Sequence, residues 1–526
     1  MLFSGMKTKR AIQLLVLGVL CVSISNAPAA DKTTKDQTIS GKEIFAREWL
    51  PNDPRSHGGD GLGPVFNDSS CVACHNQGGV GGAGPVSKNV DIVSVISNFQ
   101  VVQAQRNSVT SKLVRGLFGL DAGGDKAITQ AIKRESARLA KIHPGFRTAR
   151  SVVLHRFGLD PRYAAFRTKL TGVGGFPGFR SAVAFDIPIA EASSVPQEKR
   201  LSRNFQQIQK ANQEMLRVRQ ELGNAVFTQR TFHNSAQVLT SQRNPIALFG
   251  TGLIGSVSDK AIETQAEKKF KGFPNISGRV ARLRDGRIGR FGWKAQKATL
   301  YDFTMTACAV ELGLHVPDHP QSGVPTNPKY KATGFDLNQD ECDALVGYLK
   351  ALPSPVEKST KDGVGAEFLN AGKHLFAASG CANCHVEKMD QVAGIYSDLL
   401  VHDMGDDLGD TGEYGVFIPD SPSEEEFQAQ QAEPLAKGET KKRKGPLGAN
   451  RLEWRTAPLW GLRDSSPYMH DGRAKTIEQA IAFHGGEGAA STSRYFMLKP
   501  AERQQVLGFL KSLTAPDAKQ VASIEK

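Results

Sequence analysis

Beyond residue 24 the chain lacks any apolar run long enough to cross a bilayer, so the pattern gives no integral membrane span. Cysteine is sparse, at seven in 526 residues, and histidine numbers only twelve. The glycine-dense run from Gly78 to Gly84 (GGVGGAG) lacks the Lys-Ser/Thr ending of a phosphate-binding loop, and reads as a flexible wrap. Hydrophobic residues at 40% and charged residues at 23% match an ordinary soluble globular protein. The formal net charge of +13 fits an acidic redox partner, an anionic surface or plain solubility, and selects none of them.

The few cysteines fall in a pattern. Cys71-Val72-Ala73-Cys74-His75 and Cys381-Ala382-Asn383-Cys384-His385 both read C-x-x-C-H. Two thiols three apart can each add to one vinyl group of a single porphyrin, and the next residue then delivers an imidazole to the iron. A structural zinc site would need further Cys or His ligands at short range, and neither copy has them. A thioredoxin-like pair belongs near a βαβ unit and needs no histidine directly after it. The motifs predict two covalent c-type haems, with His75 and His385 as proximal ligands.

The N-terminus supports export. Lys7, Lys9 and Arg10 precede an apolar core from Ala11 to Ile24 (AIQLLVLGVLCVSI), and Ala27-Pro28-Ala29 offers a small-residue cleavage site. Residues 1–29 therefore read as a cleaved signal peptide and the mature chain as periplasmic or otherwise exported, a setting without a nucleic-acid partner. Cys21 leaves with that segment. In an oxidising compartment the remaining pair, Cys308 and Cys342, points to a disulfide.

The length leaves room for two or three domains. GKEIFAREW (Gly41 to Trp49) and AEFLNAGKHLFAAS (Ala366 to Ser379) each form a helix before a haem motif, the second stopped by Gly380. Both carry a glycine and, four residues later, a phenylalanine: Gly41/Phe45 and Gly372/Phe376. Residues 90–104 and 178–190 read as strands, and 125–142 and 197–222 as helices, one stopped before Pro144 and the other closed by Gly223. Together they make a mixed α/β insertion at about 88–285.

A second pattern then appears twice, as Gly289 to Gly313 (GRFGWKAQKATLYDFTMTACAVELG) and Pro467 to Glu487 (PYMHDGRAKTIEQAIAFHGGE). Thr299-Leu300 registers on Thr476-Ile477, and closing helices follow at Leu337 to Leu352 and Leu498 to Leu513. The order repeats, so the chain reads as mainly α, with two cytochrome c-like haem domains from an internal duplication. They span 30–355 and 356–526, the second carrying a charged, solvated loop at about 420–451.

LGPVFNDSSCVACHNQGG, RNPIALFGTGLI, GRFGWKAQKATL and RTAPLWGLRDSSPYMHDGRA resemble the di-haem oxidoreductase, thiol oxidoreductase-like branch of the bacterial di-haem cytochrome c peroxidase superfamily. The resemblance covers most of residues 40–515 and does not specify a substrate. It implies an oxidoreductase in which the C-terminal haem receives electrons and the N-terminal haem reacts, with hydrogen peroxide as the default substrate. The electron donor would be a small cytochrome or cupredoxin-type protein. It further implies His484 as distal ligand of the second haem, with Met469 and His470 as alternatives, Glu311 as catalytic acid/base and Trp293 as electron relay. It also implies a candidate calcium site near Thr456 and Pro458, whose carbonyl ligands would leave little sequence trace. The family's early distal histidine has no match, since no histidine lies between His75 and His143. The family's distal Gln falls at Phe303 and Thr304.

The duplication adds one inference of its own. His484 lies eight residues after Thr476, and eight after Thr299 is Ala307. The first iron is thus expected to have an open sixth position, with Met305, His155 and His233 as alternative ligands. The rival functions are a di-haem electron carrier with both irons six-coordinate, and an oxygenase or oxidase of an organic or protein substrate.

Overall fold

The computed structural model describes residues 41–97, parts of 134–149, 151–171, 203–220, 229–233, 236–283, 285–358, 365–412, 414, 448–517 and 520–521. The expected signal peptide, the strand at 178–190 and most of the charged 420–451 loop lie outside them. Helices outweigh strands, and no helix among the described residues is long and apolar enough to cross a membrane.

Two helix pairs organise the molecule. Residues 41–46 pack on the Gln339–Ala351 helix, and the Ala366–Ala378 helix packs on Pro500–Ser512. Glycine sets both approaches: a Cβ on Gly41 would meet the Ala344 carbonyl at 2.0 Å, and one on Gly372 the Gln505 carbonyl at 2.0 Å. One turn later the phenylalanines fill the interface, Phe45 5.5 Å from Tyr348 and Phe376 5.4 Å from Phe509 between ring centroids. Burying such a side chain contributes about 2 kcal/mol. A pair of threonine-capped helices matches in the same way. Thr299 accepts from Asp302 N at the start of Leu300–Glu311, and Thr476 from Gln479 N at the start of Ile477–Ala482.

Four antiparallel strands pair in the order Ser151–Leu154, Val90–Ser97, Ala236–Arg243, Gln229–His233. Val93, Val95, Val152, Leu154 and Val238 form one apolar cluster with Leu139, Phe146 and Leu170. Val90, Ile92 and Val153 cluster instead with Val310 of the Leu300–Glu311 helix. The alternation of a strand explains this division, since neighbouring side chains point to opposite faces. The sheet thereby backs the helix that carries Ala307 and Glu311. The expected charged helix is present as Arg203–Gln220.

The expected Cys308–Cys342 disulfide is corrected. Both are free thiols buried in one apolar core, 3% and 0% exposed, and burial raises both thiol pKa values.

Candidate functional site

Ser70 caps the short Cys71–Cys74 helix by accepting from Ala73 N at 3.2 Å, and the turn closes with His75 N donating to Cys71 O at 3.0 Å. His75 Nδ1 lies 3.2 Å from Gly82 O and 3.0 Å from Ile246 O. Carbonyls only accept, so Nδ1 carries the proton and Nε2 keeps a free lone pair, the arrangement a ligating histidine requires. Burial lowers the His75 pKa to about 4, which keeps the ring neutral. The glycine run does wrap the motif: Gly81 N donates to His75 O at 2.9 Å, and Gly81 O accepts from Leu248 N at 2.7 Å.

Cys71, Cys74 and His75 line a cavity of about 140 Å³. Phe303, Ala307 and Glu311 also line it from one helix, at the four-residue spacing that puts side chains on one face. Among the described residues, His75 is the only histidine lining it, and no methionine does. Met305 is fully buried in the apolar core, and His155 is fully buried with Nε2 2.8 Å from Val310 O. The His233 side chain lies outside what is described. Neither Met305 nor His155 lines this cavity.

Glu311 Oε2 accepts from Asn67 Nδ2 at 2.7 Å, while Oε1 is buried without a hydrogen-bond partner. Burial raises the Glu311 pKa, against the opposing pull of the Tyr414 phenol and Asn67. Tyr414 lines the same cavity, with its ring 6.3 Å from that of Phe303. No sequence pattern marked Tyr414; the only local hint is a lone aromatic among small and acidic residues (TGEYG).

The second motif starts at Gly380, where φ is +91° and a Cβ would strike the Phe273 ring at 2.2 Å; only glycine fits. His385 N donates to Cys381 O at 2.9 Å, and its Nδ1 lies 2.9 Å from Tyr396 O. His484 Nδ1 lies 2.7 Å from Ala480 O. Both rings again direct their protons at carbonyls, and burial lowers both pKa values, that of His385 to about 4. Their ring centroids stand 6.3 Å apart at 58°. A metal held by both Nε2 atoms at about 2 Å, with about 1 Å from nitrogen to ring centre, sets centroids about 6 Å apart. The two histidines and both thiols line a cavity of about 290 Å³.

Both donor sets fit a haem: paired thiols at the wall and a neutral imidazole with its Nε2 unspent. His402 adds an unforeseen feature. It lies 2.9 Å from Asp398 and 2.7 Å from Glu487, and 3.7 Å from Cys384 Sγ. Burial alone would lower its pKa, yet the carboxylates hold it well above the usual imidazole value.

Trp293 lines both cavities, as do Asn244, Pro245, Ile246, Gly292 and Phe303. Its indole Nε1 donates to Asn244 O at 3.1 Å, and its carbonyl accepts from Arg455 N at 3.0 Å. His470 stacks on Trp454, 3.8 Å between centroids and 12° between planes, with Nε2 3.6 Å from Asp410, which pairs with Arg243 at 2.6 Å. His470 and Met469 both line the larger cavity. The residues around Thr456 do not fit calcium. Its carbonyl accepts from Ser397 Oγ at 2.6 Å and from the buried Arg455 guanidinium at 3.2 Å, a cation where calcium would need to be.

Residues 433–513 match the family described as "Di-haem oxidoreductase, putative peroxidase". The methylamine utilization protein MauG of Methylorubrum extorquens is 26% identical over 160 residues, which are 30% of this chain and 36% of that protein. The cytochrome-c peroxidase IdrP2 of a Pseudomonas species is 38% identical over 65 residues, 12% of this chain and 17% of that one. The chain thus spans well under half the length of either relative. Among solved structures, a hydrazine synthase chain of Kuenenia stuttgartiensis aligns at 19% identity over 52% of this chain and 73% of that one, with a TM-score of 0.28.

Proposed function

Because the chain belongs to the di-haem peroxidase-like superfamily, we propose that its two cavities hold covalent c-type haems with unequal sixth positions and together perform peroxidase-type reduction. Haem, when bound, supplies one-electron chemistry at iron and a place for a small oxygen ligand. His75 and His385 would hold the two irons, and His484 would supply a second ligand at the C-terminal site. The observation that carries this reading is the contrast between the His385–His484 pair, 6.3 Å apart, and Ala307 in the first cavity.

Glu311 takes the proton from the inner oxygen of a peroxide and returns it to the outer one, a task suited to a carboxylate with a raised pKa. Trp293, in the wall of both cavities, provides the electron path from the C-terminal to the N-terminal site. The net reaction is H2O2 + 2 e⁻ + 2 H⁺ → 2 H2O, the electrons coming from a reduced small cytochrome or cupredoxin-type protein. The matched pairs Gly41/Ala344 and Gly372/Gln505 support descent of both haem domains from a duplication. The signal-like leader supports an exported, periplasmic protein.

The test is peroxide-dependent oxidation of a reduced small cytochrome by the purified di-haem protein, with cyanide as inhibitor. Turnover abolished by one equivalent of cyanide per chain is expected. No turnover, and no cyanide binding in either redox state, would leave an electron carrier instead.

A further inference from the structure

We propose that Tyr414 is the hydrogen-bond donor of the N-terminal cavity and that, with Glu311 as acceptor, it selects hydroperoxides over dioxygen. The inference rests on the peroxidase reading above and concerns the same cavity.

Three observations meet here. Tyr414 lines the cavity that also holds Cys71, Cys74 and His75. It comes from the loop that leaves the C-terminal haem motif, so the C-terminal half contributes a polar group to the N-terminal site. Its phenol hydrogen-bonds the Glu311 carboxyl, and Glu311 Oε1 is still left buried with no hydrogen-bond partner. An orphaned buried acceptor is costly, at about 1–3 kcal/mol, unless a bound group satisfies it.

The rest of the wall narrows the choice of donor. Phe303 and Ala307 offer carbon only, and the planar Asn67 amide is fixed on Glu311 Oε2 at 2.7 Å, whereas the hydroxyl hydrogen of Tyr414 can turn from Glu311 to a bound ligand. Lys88 is paired with Asp68, and Arg243 with Asp410. Burial and the neighbouring Glu311 hold the Tyr414 phenol in its protonated form. A protonated phenol donates a hydrogen bond and is a poor iron ligand, so Tyr414 leaves the sixth position open. A hydroperoxide, R–O–O–H, has both an O–H to give Glu311 and oxygen lone pairs to take from Tyr414. Dioxygen has no proton to give and leaves Glu311 unsatisfied.

The experiment uses Tyr414→Phe in the full di-haem protein, with fluoride and hydrogen peroxide as probes. Fluoride on ferric iron accepts hydrogen bonds and reports a donor directly, independent of turnover. Loss of one such bond is expected to weaken fluoride binding about tenfold, and to lower kcat/KM for peroxide by about ten- to a hundredfold. Carbon monoxide affinity of the reduced protein and the low-spin spectrum of the C-terminal haem stay unchanged, which establishes that the variant is folded. If the wild type binds both probes and Tyr414→Phe matches it within about twofold in both, the inference falls alone. A wild type that binds neither fluoride nor peroxide overturns the peroxidase reading and this inference with it.

Discussion

The two cavities are built from matching parts and diverge along one helix, at the register positions of Ala307 and Glu311. Each has a C-x-x-C-H turn, a proximal ring anchored on a backbone carbonyl, a glycine–phenylalanine helix packed on a closing helix, and a threonine-capped helix across the way. The Leu300–Glu311 helix runs four residues beyond Ala307, so that position shows a methyl group on a regular helical face. The Ile477–Ala482 helix stops two residues before His484, whose N donates to Ile481 O and whose ring turns to face His385. On the proposed reading, where the helix ends decides whether the eighth residue can serve as a ligand. The longer helix also carries the first site one turn further, to Glu311, an acid the second site does not have at that place.

Changes that erase this contrast give the largest effects. Ala307→His makes the first site resemble the second; turnover with peroxide should fall about a thousandfold, with loss of cyanide binding in a ligand titration. Glu311→Gln keeps the size and removes the base, and kcat should fall about a hundredfold or more. In the wild type the carboxylate is the form that accepts a proton. The rate should therefore drop as pH falls through a pKa above the ordinary value of about 4.3, and that limb should vanish from the pH–rate profile of Glu311→Gln. Trp293→Phe leaves both cavities in place, and stopped-flow transfer between them should slow about tenfold, or ~1.4 kcal/mol of barrier. His484→Ala makes the second site resemble the first; turnover changes least, but cyanide stoichiometry should rise from one to two per chain.

Much of this was legible in the sequence for a physical reason: local chemistry has local spacing. Covalent attachment demands C-x-x-C-H, capping demands Thr just before a helix, and tight helix contact demands Gly41 and Gly372. The register of Thr299 on Thr476 located Ala307 without any knowledge of its surroundings. What the sequence hid depends on contacts between distant segments. Tyr414 reaches Glu311 from a distant stretch of the chain, and His402 meets Glu487 only after folding. The four-stranded sheet gave no sign of its task either. It backs the Leu300–Glu311 helix through Val310, and the chain leaving its Ala236–Arg243 strand supplies the carbonyls of Asn244 to Trp293 and of Ile246 to His75. The disulfide expectation failed because two leftover cysteines in an exported chain say nothing about where their thiols point.

The most direct test of the unequal sites is an EPR spectrum of the protein, fully oxidised and half-reduced. The account predicts one low-spin ferric signal from the His385–His484 iron and one high-spin signal from the His75 iron, the latter persisting at half-reduction and converted to low spin by cyanide. Two low-spin signals, unaltered by cyanide in either redox state, would contradict it.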